Sequence, residues 1–279
     1  MADETITIDR YGVIGYPVSH SRSPVIHRLF ALQTAQDIQY ELLQVAPEKL
    51  EQAIRQFQRT HGKGLNVTAP HKRAVCRLCD QLSERARSAG AVNTMVFRDS
   101  EVFGDNTDGI GLLRDLAVNL GVSIEGARVL VLGAGGATRG ILGPLLEMQP
   151  RALIVANRTI DKAMKLVERF AAQNNVSVCG FDSVPVGETY DLMINATSAG
   201  LTGDTPPYPI EAISNNTFCY DLSYGLKPTP FSVWARDHGA MQSVMGWGML
   251  VEQAAESFHI WRGVRPDTAA VLKQIKITA

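Results

Sequence analysis

The stretch VLVLGAGGATRG, residues 129–140, limits the possible folds of this chain more than any other. Its apolar start predicts a buried strand, its glycines predict a tight turn, and the residues that follow predict a helix. This order is typical of the dinucleotide-binding βαβ unit, in which backbone N–H groups at a helix N-terminus approach a pyrophosphate. Gly133 and Gly135 match the pattern G-x-G-x-x-G, but Thr138 stands where the third glycine is expected. We predict a nucleotide-binding turn that departs from the strict motif.

Strand and helix signals alternate along almost the whole chain, which favours an α/β fold with parallel strands. A length of 279 residues exceeds that of most single domains. We predict two domains. Residues 1–107 and 246–279 form a mixed-sheet α/β domain, and residues 108–245 form a Rossmann-type, doubly wound nucleotide-binding domain. In the first domain, Ser23 is predicted to be the N-cap of a helix whose first residue is Pro24.

The composition excludes several classes of partner. Hydrophobic residues make up 45% of the chain, charged residues 20%, and the formal net charge is −1. Such a balance does not indicate a nucleic-acid partner or an anionic membrane surface.

The beginning, MADETITIDRYG, lacks the apolar region of a signal peptide, and no run reaches the roughly 20 apolar residues of a membrane span. We expect a cytoplasmic protein.

The four cysteines do not predict a metal or redox site. Cys76 and Cys79 form a CxxC pair, but no second pair or histidine cluster stands near it, and Cys179 and Cys219 are remote in sequence. The same spacing suits a helix with two small apolar residues.

The end of the second strand of the nucleotide unit indicates which cofactor binds. An NAD site usually carries an acidic residue about 20 positions after the glycine motif, where it binds the ribose 2′-hydroxyl. Here that position reads Asn157-Arg158-Thr159, with Lys162 one turn later. An arginine and a lysine pair with a 2′-phosphate, whereas a carboxylate would repel it. We predict NADP(H).

Several polar residues outside the nucleotide unit have no obvious structural purpose. Serines between the first strand and its helix suit a carboxylate ligand, because a helix N-terminus attracts anions. Asparagines are otherwise poorly placed in strands, and a glutamine on an apolar helix stripe needs a polar partner. The residues concerned are Ser19, Ser21, Ser23, Asn66, Thr68, Asn93 and Gln253, together with Lys72 in NVTAPHK and Asp108 in GDNTDG.

Eight motifs occur in the order found in shikimate dehydrogenases: SHSRSP, NVTAPHK, AGAVNT, GDNTDG, GAGGATRG, NRTIDK, NATSAG and GWGMLVEQA. The chain therefore resembles this family from about Tyr11 to Gly263. The resemblance implies an oxidoreductase that reduces 3-dehydroshikimate to shikimate with NADPH, in the biosynthesis of aromatic amino acids. It also implies that the first domain is catalytic, that the second binds NADP, and that a small-molecule substrate lies in the cleft between them. We expect a monomer or homodimer.

The resemblance assigns roles to individual positions. Lys72 and Asp108 are similar to the catalytic pair: hydride transfer to a ketone leaves negative charge on oxygen, so a proton donor is needed there. The implied substrate contacts are Ser21, Ser23, Asn66, Thr68, Lys72, Asn93, Asp108, Tyr224 and Gln253. The implied cofactor contacts are Glu84, Gly133, Ala134, Gly135, Gly136, Ala137, Asn157, Arg158, Thr159, Lys162, Thr197, Leu222 and Gly246.

The chain departs from the family pattern beside the nicotinamide. Leu222 replaces a common methionine, and Met245 stands before Gly246 where a polar residue is common. Three alternatives stay open from the sequence: a quinate/shikimate dehydrogenase that uses NAD, a non-catalytic NADP-sensing protein, and a different NADP-linked dehydrogenase such as a folate-linked one. Arg158 and Lys162 argue against the first, the Lys72 and Asp108 pair against the second, and the serine pair against the third.

Overall fold

A computed structural model describes residues 8–170, 173, 175–187, 189–197 and 207–278, with side chains described as far as residue 275. The chain divides into two compact units. The first runs to Thr107 and resumes at Gln253–Ile275, and the second is Asp108–Glu252. Among the described residues, no helix has the length and apolar character that crossing a membrane requires.

The first unit contains one six-stranded mixed sheet in the order β2-β1-β3-β5-β6-β4. Strands β1, β2 and β3 run parallel, whereas β5 is antiparallel to both of its neighbours. The mixed sheet that the sequence predicts is therefore confirmed. The elements are β1 Asp9–Gly15, α1 Ser23–Thr34, β2 Ile38–Gln44, α2 Leu50–Arg59, β3 Gly62–Val67, α3 Lys72–Val75, β4 Gln81–Leu82, α4 Glu84–Ala89, β5 Thr94–Arg98 and β6 Glu101–Asp105.

Alternation along β3 separates an apolar face from a polar one. Leu65 and Val67 belong to a core cluster that includes Leu50, Ile54 and Phe57 of α2. Asn66 lies between them and therefore points to the opposite face of the sheet. There its amide hydrogen-bonds Ser257, on a helix near the end of the chain.

The predicted N-cap of α1 is wrong by one residue. The helix begins at Ser23 itself, the N-cap position is Arg22, and no side chain caps the helix there. The Ser23 hydroxyl is not available as a cap because it lies between Ser21 and Tyr40 and interacts with both. Pro24 does stand in the first turn, as its fixed φ favours.

The second unit contains a six-stranded, fully parallel sheet in the order β12-β11-β10-β7-β8-β9, which is the doubly wound dinucleotide-binding order. The Rossmann-type prediction is confirmed. The elements are α5 Asp108–Arg114, a π-helical turn Asp115–Asn119, β7 Arg128–Leu132, α6 Gly136–Glu147, β8 Ala152–Ala156, α7 Ile160–Val167, β9 Val176–Cys179, β10 Leu192–Asn195, β11 Phe218–Asp221, α8 Pro230–Asp237 and β12 Gln242–Met245. Two helices follow, α9 Trp247–Arg262 and α10 Thr268–Thr278.

Both faces of this parallel sheet are covered, which explains why its central strands are mainly apolar. Val129 and Val131 of β7 belong to a core cluster with residues of α6, whereas Leu130 and Leu132 belong to a second cluster that contains Phe231 of α8. Strand β12 was not singled out as a strand in the sequence, because QSVM is short and partly polar.

Candidate functional site

The glycine-rich turn between β7 and α6 needs its first glycine for two reasons. Gly133 has a φ of +102°, in a region that side chains strongly disfavour. A Cβ there would also stand 3.1 Å from the backbone of Ala196 and Thr197. The turn thus brings the carboxyl ends of β7 and β10 into close backbone contact.

The next two glycines lie on the open side of the turn. A Cβ built on Gly135 or Gly136 would meet no atom within 4 Å. Gly135 is the N-cap of α6, and no side chain caps the helix there. Backbone N–H groups at this N-terminus can therefore point at a ligand phosphate, and the glycines leave room for it to approach. Ala134 and Ala137 flank the turn and are partly buried.

Thr138 replaces the third glycine of the motif with a hydrogen bond. Its side chain is fully buried, and its hydroxyl donates to the Gly133 carbonyl at 2.8 Å. The bond ties the first turn of α6 to the end of β7, so this departure from the strict motif is structurally accommodated.

Asn157 connects the glycine turn to the end of β8. Its Oδ1 accepts a bond of 3.1 Å from the Ala134 N–H, and its Nδ2 donates to the Thr159 carbonyl at 2.7 Å. Arg158, Thr159 and Lys162 are exposed around the start of α7. The residues predicted to bind the 2′-phosphate thus follow an asparagine that is hydrogen-bonded to the glycine-rich turn.

A buried polar cluster orders the carboxyl ends of β10 and β11. Asp221 is fully buried and accepts from Asn195 at 3.0 Å and from Thr229 at 2.5 Å. Burial raises its pKa above the ordinary aspartate value. Asn195 Oδ1 in turn accepts from the Thr197 hydroxyl at 2.7 Å, and the Asn195 carbonyl accepts from the Leu222 N–H at 2.9 Å. Thr197 and Leu222 are therefore both held by Asn195.

Gly246 approaches the residues predicted to flank the nicotinamide. A Cβ on Gly246 would lie 2.6 Å from the Leu222 carbonyl oxygen, so this position requires glycine. Its N–H also donates to the Ser223 carbonyl at 3.0 Å. The ring of Tyr224, a predicted substrate contact, lies 4.8 Å from that of Trp247. The second unit thus groups Thr197, Leu222, Tyr224 and Gly246 around the ends of β10, β11 and β12.

In the first unit, the two predicted carboxylate ligands are hydrogen-bonded to each other. The Ser21 hydroxyl donates to that of Ser23 at 3.2 Å, and the Ser23 N–H donates to Ser21 Oγ at 3.3 Å. Ser23 is buried and Ser21 partly exposed. Ser19, also singled out in the sequence, is exposed.

Three of the predicted substrate contacts, Asn66, Asn93 and Gln253, belong to one hydrogen-bonded network. Asn66 Nδ2 donates to the Asn93 carbonyl at 3.2 Å, and Asn93 Nδ2 faces Gln253 Oε1 at 3.3 Å. Thr107 accepts from Asn93 Nδ2 at 2.9 Å and donates to the Gln253 carbonyl at 3.0 Å. The structure therefore brings together three predicted substrate contacts from β3, from the residue before β5, and from α9.

Lys72 begins α3, and its backbone position is fixed from two sides. The Lys72 carbonyl accepts a bond of 2.8 Å from the Val92 N–H, next to Asn93. The preceding His71 is buried, and its Nε2 donates to the Val45 carbonyl at 2.7 Å. Thr68, partly exposed, donates its N–H to the Ile14 carbonyl and accepts from the His71 N–H. Thr68 and Lys72 thus lie at one end of β1 and β3.

Asp108 and Glu84 each begin a helix. Asp108 is the first residue of α5 in the second unit and is buried. Glu84 is exposed in the first turn of α4, behind the N-cap Ser83, whose hydroxyl accepts from the Ala86 N–H. Both carboxylates stand where a helix N-terminus favours negative charge.

Several residues in or beside these networks were not identified as site residues from the sequence. Thr94 and Thr107 stand inside the motifs AGAVNT and GDNTDG, which offered a signal. Asp221 ends an apolar strand, which offered a weaker signal. Tyr40 and His27 gave none, because aromatic and histidine residues are ordinary in strands and helices. Within the described ranges, no group of three or more His, Cys, Asp or Glu residues could hold a metal ion; residues 198–200 of NATSAG lie outside those ranges.

Comparison with known proteins agrees with this architecture. The model of the shikimate dehydrogenase substrate binding domain matches residues 13–95, that of shikimate / quinate 5-dehydrogenase matches 115–203, and that of the shikimate 5'-dehydrogenase C-terminal domain matches 246–276. A shikimate dehydrogenase (NADP(+)) of Alkalilimnicola ehrlichii is 52% identical over 96% of this chain and 98% of its own length.

Two solved structures extend the comparison to the fold. An Ael1 enzyme from Pseudomonas putida has a TM-score of 0.87 at 44% identity and covers 95% of this chain and 97% of its own. Shikimate 5-dehydrogenase from Thermus thermophilus, in complex with NADP(H) and shikimate, has a TM-score of 0.84 at 31% identity over 95% of this chain and 98% of its own. Identity and coverage of this extent place the chain in the shikimate dehydrogenase family.

Proposed function

We propose that the protein catalyses the reversible, NADPH-dependent reduction of 3-dehydroshikimate to shikimate, a step in the biosynthesis of aromatic amino acids. The observation that carries this proposal is the buried network that links Asn66, Asn93 and Gln253. Neutral amides of this kind suit the hydroxyl groups of a polyhydroxylated ring, since each amide both donates and accepts. Ser21 and Ser23 supply hydroxyls for its carboxylate.

The residues of the second unit fit NADP(H). The open glycine turn at the N-terminus of α6 suits the pyrophosphate, and Arg158 and Lys162 suit the 2′-phosphate. Thr197, Leu222 and Gly246 provide surfaces for the nicotinamide, with Glu84 of the first unit assigned to the same ring. When bound, NADPH supplies the hydride that the ketone carbon accepts.

Lys72 and Asp108 carry the proton chemistry in this proposal. As the ketone is reduced, negative charge develops on its oxygen, and the Lys72 ammonium group stabilises that charge and donates the proton. The Asp108 carboxylate orients the ammonium group. In the oxidative direction, Lys72 takes the proton from the shikimate hydroxyl. Thr68 and Tyr224 complete the set of substrate contacts.

The proposal also covers the roles of the two domains, the cellular location of the protein, its assembly and its partners. We propose that residues 1–107 with 246–279 bind the substrate and that residues 108–245 bind NADP(H). We also propose a cytoplasmic enzyme that functions as a monomer or a homodimer, with neither nucleic acid nor membrane as partner.

The test is a two-by-two assay in which formation of reduced cofactor is followed by absorbance with shikimate or quinate, each against NADP or NAD. We expect fast turnover only with shikimate and NADP. Comparable rates with quinate or NAD would instead assign the protein to catabolic quinate/shikimate oxidation. No turnover in any pairing, together with tight NADPH binding, would favour the NADP-sensing alternative.

A further inference from the structure

We propose that Tyr40, held in place by the imidazole of His27, is a positioning residue for the substrate site. Its phenol fixes the amide orientation of Asn66 and connects Asn66 to Ser23. The inference rests on the proposed function, because it takes Asn66 and Ser23 as substrate contacts. It adds two residues to the site that do not belong to the family motifs on which the assignment of the substrate contacts depends.

The direction of the hydrogen bonds around Asn66 carries the first step. The backbone carbonyl of Asn93 can only accept, and it lies 3.2 Å from Asn66 Nδ2. The amide nitrogen of Asn66 must therefore face Asn93. The amide oxygen then faces Tyr40, whose hydroxyl lies 2.8 Å away and must be the donor.

The second step concerns the phenol oxygen of Tyr40. Its proton is committed to Asn66, so the oxygen is left to accept, and the Ser23 side chain acts on it: burial raises the pKa of Tyr40, and Ser23 offsets part of that rise. Ser23 is in turn joined to Ser21 at 3.2 Å. One chain of hydroxyl and amide groups thus connects the serines proposed for the carboxylate to the asparagines proposed for the ring hydroxyls.

The third step is the aromatic support of Tyr40. The ring of Tyr40 stacks on the imidazole of His27, with centroids 4.3 Å apart and planes 8° from parallel. His27 also contacts the rings of Trp261 and Phe258, at 5.3 and 6.1 Å. Among the described strands, β2 lies at the edge of its sheet and pairs with β1 alone. Side-chain packing must therefore supply part of the restraint on Tyr40.

Burying a histidine at position 27 costs free energy, because its ring nitrogens give up their hydrogen bonds to water. We infer that the ring has a specific structural role. It is fully buried, and neither ring nitrogen has a hydrogen-bond partner among the described residues. Burial lowers its pKa to about 3, and the neighbouring Asn66 side chain offsets part of that effect. The imidazole therefore remains neutral. It supplies a compact flat ring between α1 and Tyr40, beside the Asn66 amide.

Preorganisation explains the benefit for catalysis. An amide that is already oriented loses less conformational freedom when the substrate binds, and a misplaced contact can cost about 100-fold in rate. A Tyr40 without its hydroxyl would leave the Asn66 oxygen without its donor. The effect should appear with shikimate and should be absent for the cofactor, because the residues proposed for the phosphates lie in the second unit.

The experiment compares Tyr40→Phe, His27→Leu and His27→Phe in the full-length protein. We expect Tyr40→Phe and His27→Leu to raise KM and the calorimetric Kd for shikimate by about 10-fold or more, with KM for NADP within about 2-fold. His27→Phe retains a stacking ring, so its shikimate constants should stay within about 3-fold of the wild type. Tyr190→Phe is the matched control. Tyr190 is a fully buried tyrosine of the second unit whose hydroxyl donates to the Pro185 carbonyl at 3.0 Å, and removing it should not change either KM.

Each outcome is decisive. Unchanged shikimate binding in Tyr40→Phe would overturn the role of the hydroxyl, while the wild-type assay would leave the proposed function intact. A parallel rise of both KM values, with a lowered Tm, would reduce Tyr40 to a folding role and overturn the inference. Equal damage in His27→Phe and His27→Leu would overturn the stacking support. A wild-type protein that neither binds nor oxidises shikimate would overturn the proposed function and this inference with it.

Discussion

The hydroxyl of Thr138 donates a 2.8 Å hydrogen bond to the carbonyl of Gly133, across the turn that joins β7 to α6. In the strict dinucleotide-binding motif a glycine would occupy position 138, and the turn would depend on close helix–strand packing alone. In this protein a buried side chain adds a specific link between the first and the last position of the motif. The departure from the motif is therefore a different way to hold the same turn.

Removing this link should destabilise the protein. Thr138→Val leaves the Gly133 carbonyl without its donor inside the core, which costs about 1–3 kcal/mol in the free energy of unfolding. Thr138→Gly, although it completes the strict motif, should lose the same bond and also raise KM for NADP. Urea unfolding and cofactor kinetics measure both effects. Thr138→Ser keeps the hydroxyl and serves as the control. If Thr138→Val and Thr138→Gly are as stable as Thr138→Ser, the hydrogen bond is unimportant for stability.

Lys72→Ala should reduce turnover while cofactor binding barely changes. Loss of the proposed proton donor is expected to lower kcat by about 10²–10⁴-fold or more, the usual contribution of a positioned acid–base group. NADPH binding, followed by cofactor fluorescence, should remain within about 2-fold.

The control for Lys72 is Lys63→Ala, which removes an exposed lysine from β3 of the same unit. It should leave kcat unchanged. Near-normal turnover in Lys72→Ala would end the assignment of this lysine as the proton donor.

Arg158 and Lys162 should determine the preference for NADP. Replacing both with glutamine removes two charge-assisted contacts to the 2′-phosphate, so KM for NADP should rise by roughly 10–100-fold, while KM for NAD changes little. Steady-state kinetics with both cofactors measure the ratio. Lys165→Gln, an exposed lysine in the last turn of the same helix, is the control. An unchanged NADP/NAD ratio in the double variant would assign the 2′-phosphate to other residues.

His27 should make the stability of the protein depend on pH in the acidic range. Burial lowers its pKa from 6.5 to about 3 in the folded state, so between these values the unfolded chain binds a proton that the folded chain does not. Stability should therefore fall as the pH is lowered through 6.5 toward 3, by about 1.4 kcal/mol per pH unit from this group. Above pH 6.5 the group has no such effect.

His27→Phe tests this dependence because it removes the titrating group and keeps a ring. Urea unfolding at pH 7.5, 5.5 and 4.5 should show the variant gaining stability over the wild type as the pH falls. If the two unfolding curves shift in parallel at all three values, the imidazole already binds a proton in the folded protein and the pKa argument is wrong.

The Rossmann-type sheet could be predicted from the sequence because the apolar runs and the glycine turn indicate the same fold. Apolar runs such as VLVL and LIVA predict strands covered on both faces, and the glycine turn fixes which strand comes first. Strand β12 was missed, since QSVM lacks that apolar run. Its strand state depends on pairing with β11, which a local pattern does not reveal.

The ordered motifs allowed the residues of the candidate site to be proposed from the sequence, whereas the contacts between them could not be predicted. The ordered motifs contain Ser21, Asn66, Lys72 and Asp108, so the types of polar group followed from the sequence. The predicted cap at Ser23 failed because the helix begins there and the hydroxyl turns toward Ser21 and Tyr40.

The sequence by itself determined the α/β class, the nucleotide turn, the family and the set of candidate side chains. These depend on periodicity, on glycine conformations and on residues that stand close together along the chain. Only the tertiary structure decided that Tyr40 donates to Asn66, that His27 lies flat against Tyr40, and that Ser257 of α9 reaches the same amide. Such contacts join residues 13 to 191 positions apart, and packing of helices on a sheet creates them, so no local pattern encodes them.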